Sequence, residues 1–388
     1  MNMLDTVVLT IQRDKFTLLD PIQDLVAPWD LQSKTSSYEK YVKNPSARDK
    51  NAGIYQPRLT GVKRWTHGQS FQSVLKVEFS VPKLLYGNNL EEVEDADFPQ
   101  VIELLRSRLF RMGVVISIED LQEASVTVFH PSKNIVLSDG YTSSLILKEL
   151  SKINLNQKFD LSKTSFRNDG QSLQGYTIAH SVVFYDKIAD LAQSKKRAID
   201  KDQTTQQLSL FAQIKQDRPS LEILRLEIRI TQKQKINSTL HKLGLPINPT
   251  FKQLFKKEIC QKIVQSYWKT LIKDENLFLF DLSVSPKQLL RKLIKQGKIK
   301  PKEMIYLVGL AQLCRDEGGV RDLRRLLKKS VSQRGWYRFS EGIKSLNAVT
   351  SGKVLHGWVN QIDSALHTFK SLRLKDLPNQ IELSKIMA

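Results

Sequence analysis

The sequence predicts an α+β protein, with a sheet domain over residues 1–248 and a basic, all-helical domain over residues 249–388. Three observations lead there. VLKVEFSVP (Val74–Pro82) and LEILRLEIRI (Leu221–Ile230) alternate so regularly that each reads as a strand with one apolar and one polar face. Helical periods are interspersed with strand periods up to the Pro246–Pro249 turn. From Thr250 onward helical periods dominate. At 388 residues and 40% hydrophobic content the chain is long enough for two or three cores.

Met3–Gln12 alternates as a first strand, and Pro21–Asn51 is polar and proline-punctuated, a surface segment. Ala52–Ser73 is turn-rich with short strands around Trp65. In Val74–Pro82, Leu75, Val77, Phe79 and Val81 share one face and Lys76, Glu78 and Ser80 the other. Lys83–Asn89 reads as a turn. Phe98–Met112 carries helical spacing between Asp97, a candidate cap, and Gly113, a stop. Val114–Ile118 and Ala124–His130 read as strands, Leu145–Ile153 as a helix and Phe159–Asn168 as a short strand. Gly175–Tyr185 is a single strand running into a helix over Ile188–Arg197, and Ser194–Ser220 is a polar, Gln-rich connector. Leu224, Leu226, Ile228 and Ile230 form the apolar face of the next strand, opposite Arg225, Glu227 and Arg229. Helices are expected near 250–273, 286–297, 301–316, 318–333 and 338–347.

The charge balance narrows the function. Sixty Lys+Arg face 40 Asp+Glu, a formal net charge of +20, which points to a polyanionic partner. No apolar run approaches the ~20 residues of a membrane span, and the N-terminus lacks the basic head and apolar core of a signal peptide. A cytoplasmic protein with no membrane partner is expected. Cys260 and Cys314 are too few for a disulfide framework or a cysteine zinc site, and read as buried thiols.

Tyr185 and Lys187 stand at a strand–helix junction. A phenol can attack a phosphodiester, and a neighbouring ammonium can stabilise the phenolate and the phosphate charge. Tyrosine ionises near pH ~10, so such help is required at neutral pH. A strand-terminal tyrosine is also an ordinary core or surface residue. Glu78 and Glu227 sit mid-strand on polar faces, the latter flanked by Arg225 and Arg229. These faces read either as the solvated side of a sheet with cross-strand ion pairs, or as a site floor with metal-holding carboxylates and phosphate-gripping arginines. His130, on the same side of its strand as Val126 and Val128, would be the nitrogen ligand of such a floor. His180 falls on the side opposite Tyr185 and reads as a packing residue.

Four segments together resemble the gene II/gene X replication proteins of filamentous phages and related plasmids. They are MLDTVVLTI, VEFSVPKLLYGNN, HSVVFYDKIADL, and LRLEIRI followed by LGLPIN, in that order over residues 1–250. The resemblance implies an antiparallel-sheet nickase domain with flanking helices, His-hydrophobe-His endonuclease-like, followed by a helical C-terminal domain. It implies rolling-circle DNA replication initiation, with site-specific nicking of one origin strand. Tyr185 would form a 5′-phosphotyrosyl bond, leaving a free 3′-hydroxyl that primes synthesis and later recloses the circle. Lys187 would assist, and Mg²⁺ or Mn²⁺ would be held by some of His130, Glu78 and Glu227. Implied partners are origin DNA, double- and single-stranded, with the bacterial host's helicase, polymerase and single-strand-binding protein. The chain departs from the wider superfamily in having no His-x-His pair.

Lys287–Arg338 carries 15 Lys/Arg against 4 acidic residues. Arg321, Arg324, Arg325, Lys328 and Lys329, with Arg334, Trp336 and Arg338, suit phosphate contacts and base stacking, or else form a solvated helical face. A non-catalytic DNA-binding protein of repressor or partition type is the alternative. It would need the basic surface but not Tyr185. A tyrosine recombinase fits poorly, since the best tyrosine precedes the basic helices and no His-x-x-Arg element accompanies it.

Overall fold

The computed structural model describes residues 3–19, 38–66, 70–153, 165–167, 171–192 and 221–376, apart from positions 284, 298, 317, 328, 351 and 352. The expected connector over 194–220 and Lys328 therefore lie outside the described residues. The strands are β1 (Leu4–Gln12), β2 (Phe16–Leu18), β3 (Tyr38–Lys43), β4 (Arg58–Thr66), β5 (Ser70–Ser80), β6 (Val114–Ile116), β7 (Ser125–Val136), β8 (Ser165–Arg167), β9 (Ser172–Tyr176), β10 (His180–Asp186) and β11 (Ile223–Ile230). The helices are α1 (Ala47–Asn51), α2 (Val81–Tyr86), α3 (Phe98–Arg111), α4 (Ile118–Gln122), α5 (Ser143–Leu150), α6 (Lys187–Ala192), α7 (Lys233–Lys242), α8 (Phe251–Leu254), α9 (Lys257–Trp268), α10 (Leu277–Phe280), α11 (Pro286–Gln296), α12 (Pro301–Arg315), α13 (Gly319–Leu327), α14 (Gln333–Val349) and α15 (Gly357–Thr368).

The fold is α+β. Nine strands form one antiparallel sheet in the order β3-β4-β5-β1-β7-β11-β10-β9-β8. The alternation read from the sequence sets its two faces. Leu75, Val77 and Phe79 of β5 and Leu224, Leu226, Ile228 and Ile230 of β11 are all buried in one continuous apolar core. Helices cover that face: α9 packs across β7 and β11, and its Trp268 meets Phe184 of β10 edge-on.

Three local expectations are corrected. Gly175–Tyr185 is two strands, because Thr177 takes the chain out of the ladder: its hydroxyl accepts from the amides of Ala179 and His180. Lys83–Asn89 is not merely a turn. Pro82 starts the helical turn α2, and Gly87 ends it at φ 70°, a left-handed conformation that costs glycine little. Val126 does not share a side with His130. The register between β1 and β7 slips between Val8/Val128 and Leu9/Val126, so Val126 enters the core while Val128 and His130 face away from it. β7 also continues through Pro131 to Val136, and the proline sits beside a second irregularity in the pairing with β1.

The residues after 248 share the core of the sheet. Phe251 is fully buried and meets Phe79, Phe98 and Phe255 edge-on. The expected helix over 250–273 is broken: Phe255 leaves helical geometry, and Lys269–Asp274 is a π-helical turn. Ser332 caps α14, so the break between the two basic helices falls before it. The chain then returns to the sheet domain. Ser371 donates to Glu94, the backbone of Leu372 pairs with Glu92, and Arg373 bridges to Asp97 while lying over the Tyr86 ring. Among the described residues no helix is long and apolar enough to cross a membrane.

Because Phe251 joins the sheet to the helices, Phe251→Ala is expected to cost about 3–5 kcal/mol, through lost burial plus a residual cavity. Urea denaturation followed by tryptophan fluorescence should show its midpoint falling accordingly.

Candidate functional site: a buried tyrosine–carboxylate–guanidinium cluster

On the face of the sheet away from the helices, register brings the candidate residues of β7, β10 and β11 together. Glu227 lies opposite Ser132 of β7 and Val183 of β10, and Arg225 opposite Asn134 and Tyr185. Residues directly opposite on neighbouring strands share a face. This face is not solvated here. Arg225 is 1% and Glu227 3% exposed, so the solvated-face reading fails for this end of the sheet.

A buried charge must be matched, and this one is. Arg229 Nε donates to Glu227 Oε1 at 2.8 Å, and the Tyr185 hydroxyl donates to Oε2 at 3.2 Å. His130 Nδ1 is 3.5 Å from Oε1, and Arg225 Nε is 3.7 Å from Oε2. Burial alone would raise the Glu227 carboxyl. Arg229, the His130 contact and Arg225 outweigh it and hold the group well below the usual carboxylate range. Arg225 is itself engaged through both terminal nitrogens, though its Nε makes no hydrogen bond among the described residues. It pairs with Asp5 at 2.8 Å and donates to Ser132 Oγ, Asn134 Oδ1 and the Asn89 carbonyl.

Tyr185 is 7% exposed, and burial drives its phenol well above its ordinary value. Lys187 is completely buried. Its ammonium lies 5.6 Å from the Tyr185 ring centroid and has no hydrogen-bond partner among the described residues. Burial, reinforced by the nearby Arg225 charge, pushes Lys187 down to about 7.

The other candidates are placed as follows. Glu78 stands apart. It pairs with Arg58 at 3.5 Å and lies three strand spacings and about four residues along β7 from Glu227, roughly 19 Å. His130, Glu78 and Glu227 therefore do not converge, and the described residues contain no group of three or more His, Cys, Asp or Glu able to hold a metal ion. Both Glu227 oxygens face guanidinium or phenol donors, a cationic setting that does not fit a divalent ion. His130 Nε2 is buried and has no hydrogen-bond partner among the described residues, but no carboxylate completes a ligand set around it. Arg225 is a buried clamp and not a surface DNA contact, whereas Arg229 has a side chain 36% exposed. His180 bonds Tyr267 at 2.8 Å on the helix-covered side, a packing position, and burial lowers it to about 4.

In the helical part, Trp336 is 8% exposed, stacked on Phe339 and covered by Arg324 at 5.1 Å. It is a packing residue and not a free stacking platform. Arg325 is exposed and paired with Asp322, Arg321 is half-buried, and Lys329, Arg334 and Arg338 are exposed. Sequence reasoning missed Asp5, Ser132 and Asn134, which hold Arg225. Only the pairing of β1 and β7 with their neighbours brings them there. Comparison with protein-family models, curated proteins and solved structures returns no match for the chain.

Two outcomes are expected from this arrangement. Glu227→Gln should cost about 3–5 kcal/mol in urea denaturation, since it strips the charge that compensates Arg225 and Arg229. Lys187 has a folded-state pKa below its ordinary 10.5, so charging it opposes folding. That penalty is complete below about 7 and gone above 10.5. Lys187→Met should therefore stabilise the protein by on the order of a few kcal/mol at pH 6. The gain should shrink as pH rises toward 10, when denaturation midpoints of the two proteins are compared across pH.

Proposed function

We propose that the protein initiates rolling-circle DNA replication, cutting and rejoining one DNA strand through Tyr185. The observation that carries this reading is the Tyr185 hydroxyl bonded to Glu227 within a cluster of guanidinium groups, in a chain of net charge +20. A phenol fixed on a carboxylate among arginines has the groups that transesterification of a phosphodiester needs. The resemblance to the gene II/gene X replication proteins, which rests on the same Tyr185–Lys187 and Arg225–Arg229 segments, supports it, and with it an antiparallel-sheet nickase domain acting on origin DNA.

In this reading the Tyr185 oxygen attacks phosphorus. A tyrosyl P–O bond forms, the P–O3′ bond breaks, and the released 3′-oxygen takes a proton from water. The phenolic proton needs an acceptor. Glu227 is held far too acidic to keep it, and serves to orient the hydroxyl. Lys187, brought down to about 7 by burial and 5.6 Å from the Tyr185 ring centroid, makes no hydrogen bond to the hydroxyl among the described residues, so it would have to shift toward the phenol to take the proton. Arg229, partly exposed beside Glu227, compensates the phosphorane charge. Because the phosphotyrosine conserves the bond energy, attack by a 3′-hydroxyl reverses the step and reseals the strand.

The burial of Tyr185 and Lys187 favours a second reading, a non-catalytic DNA-binding protein in which this cluster only holds the sheet together. One experiment separates them. Single-stranded origin oligonucleotides are incubated with the protein at varied pH, with Mn²⁺ present, and adducts are resolved on denaturing gels. Strand transfer yields a heat-stable adduct that vanishes in Tyr185→Phe, and a rate that rises through pH about 7 and loses this inflection in Lys187→Met. An adduct persisting in Tyr185→Phe overturns the assignment.

A further inference from the structure

The same face of the sheet carries a second feature, a depression of ≈ 630 Å³ across β3, β4, β5, β1 and β7, closed on one side by the start of α7. Its lining holds four cations, Lys40, Arg58, Lys76 and Lys233, against one carboxylate, Glu78, which Arg58 already bridges. The floor is a row of hydrogen-bonding side chains. Lys76 lies directly between Thr60 of β4 and Thr10 of β1, and Thr10 bonds Thr127 of β7 at 3.1 Å. Lys233 leans over this floor and donates to Ser125. No side chain caps the first turn of α7, so its amide donors and positive dipole end add to the same field.

The depression adjoins the tyrosine cluster. Val128 on its floor precedes His130 by two residues on one face of β7, and Glu78 precedes Ser80, the hydrogen-bond donor to Asp5, by two on β5. Two residues along a strand span about 7 Å. A linear polyanion lying in the depression would therefore reach the edge of the cluster at His130, beside the buried Glu227 and Tyr185.

We infer that this depression is a binding groove for one strand of nucleic acid, held by its phosphates and leading to Tyr185. Excess positive charge with hydroxyl and amide donors selects a phosphodiester backbone, with Gln232 and Gln234 the lining side chains able to hydrogen-bond a base. A hollow of this volume falls in the ~300–1,000 Å³ range of sites that enclose small ligands. It is large enough for the sugar-phosphates of a single strand. The inference deepens the strand-transfer reading and rests on it only for the identity of the polymer.

The test uses the full chain carrying Tyr185→Phe, so that binding is measured without chemistry. The probe is a fluorescent oligothymidylate followed by anisotropy over a salt series. Lys40→Gln, Lys76→Gln and Lys233→Gln combined should weaken binding at least tenfold. The slope of log K against log salt should become shallower by about 2, since each lost phosphate contact on a single strand removes ~0.7. The corresponding arginine triple should retain affinity, which separates lost charge from misfolding. Unchanged affinity and slope in the glutamine triple overturn the groove. A larger loss for duplex than for single strand overturns the choice of a single strand. The reaction itself is scored separately with Tyr185 intact. Lost binding with no adduct in the parent upholds the groove and sinks strand transfer, and an adduct with unchanged binding does the reverse.

Discussion

The Glu227 carboxylate, buried between Arg225 and Arg229, is the constraint around which the rest of the site is organised. A charge withdrawn from water is tolerated only where other groups replace its hydration. Here the replacements come from several strands: Tyr185 on β10, His130 on β7, and two arginines on β11 itself. Arg225 then needs partners of its own, and takes Asp5 from β1, Ser132 and Asn134 from β7, and a carbonyl from the Asn88–Glu92 loop. The chain of obligations fixes the register of four strands at one end of the sheet.

It also reaches the C-terminal part of the chain. Glu92 accepts from the Asn134 amide, from Lys133 at 2.7 Å and from the Leu372 amide, all in buried surroundings. Asn134 in turn holds Arg225. Segment 371–374 is thus linked to Glu227 through Glu92, Asn134 and Arg225 in turn, which gives the C-terminal part of the protein a structural stake in the tyrosine cluster. Phe251 and the helix α9 supply the same coupling through the apolar core.

Burial and reactivity pull in opposite directions in this cluster. The low-dielectric setting that raises the Tyr185 phenol also brings Lys187 down to about 7, shifts that disfavour the charged form of both groups. A buried lysine without a hydrogen-bond partner among the described residues is costly to the fold. Sites that do chemistry retain such groups, because stability and function are selected separately. The neighbouring groove is the open counterpart. Its cations lie nearer water, Arg58 paired with Glu78 and Lys233 with Ser125, where they are less costly to keep than the buried guanidinium of Arg225.

The α+β class, the two amphipathic strands and their facing were legible in the sequence, because a period of two assigns every side chain to a face without reference to partners. Leu75, Val77 and Phe79 and the even-numbered residues of Leu224–Ile230 are buried as that period requires. The charge excess and the short distance between Tyr185 and Lys187 were legible for the same reason, being local. What the sequence alone did not determine was which polar residues meet. Glu78 and Glu227 look equivalent in their strands, yet one lies in an open groove and the other in a sealed cluster, because strand order puts β1 and β7 between them. The slip beside Val128 turned Val126 away from His130, and Trp336 was drawn from a basic surface into packing. These outcomes depend on register, strand order and helix packing, which are set by contacts between residues far apart in the chain, and so only the tertiary structure decided them.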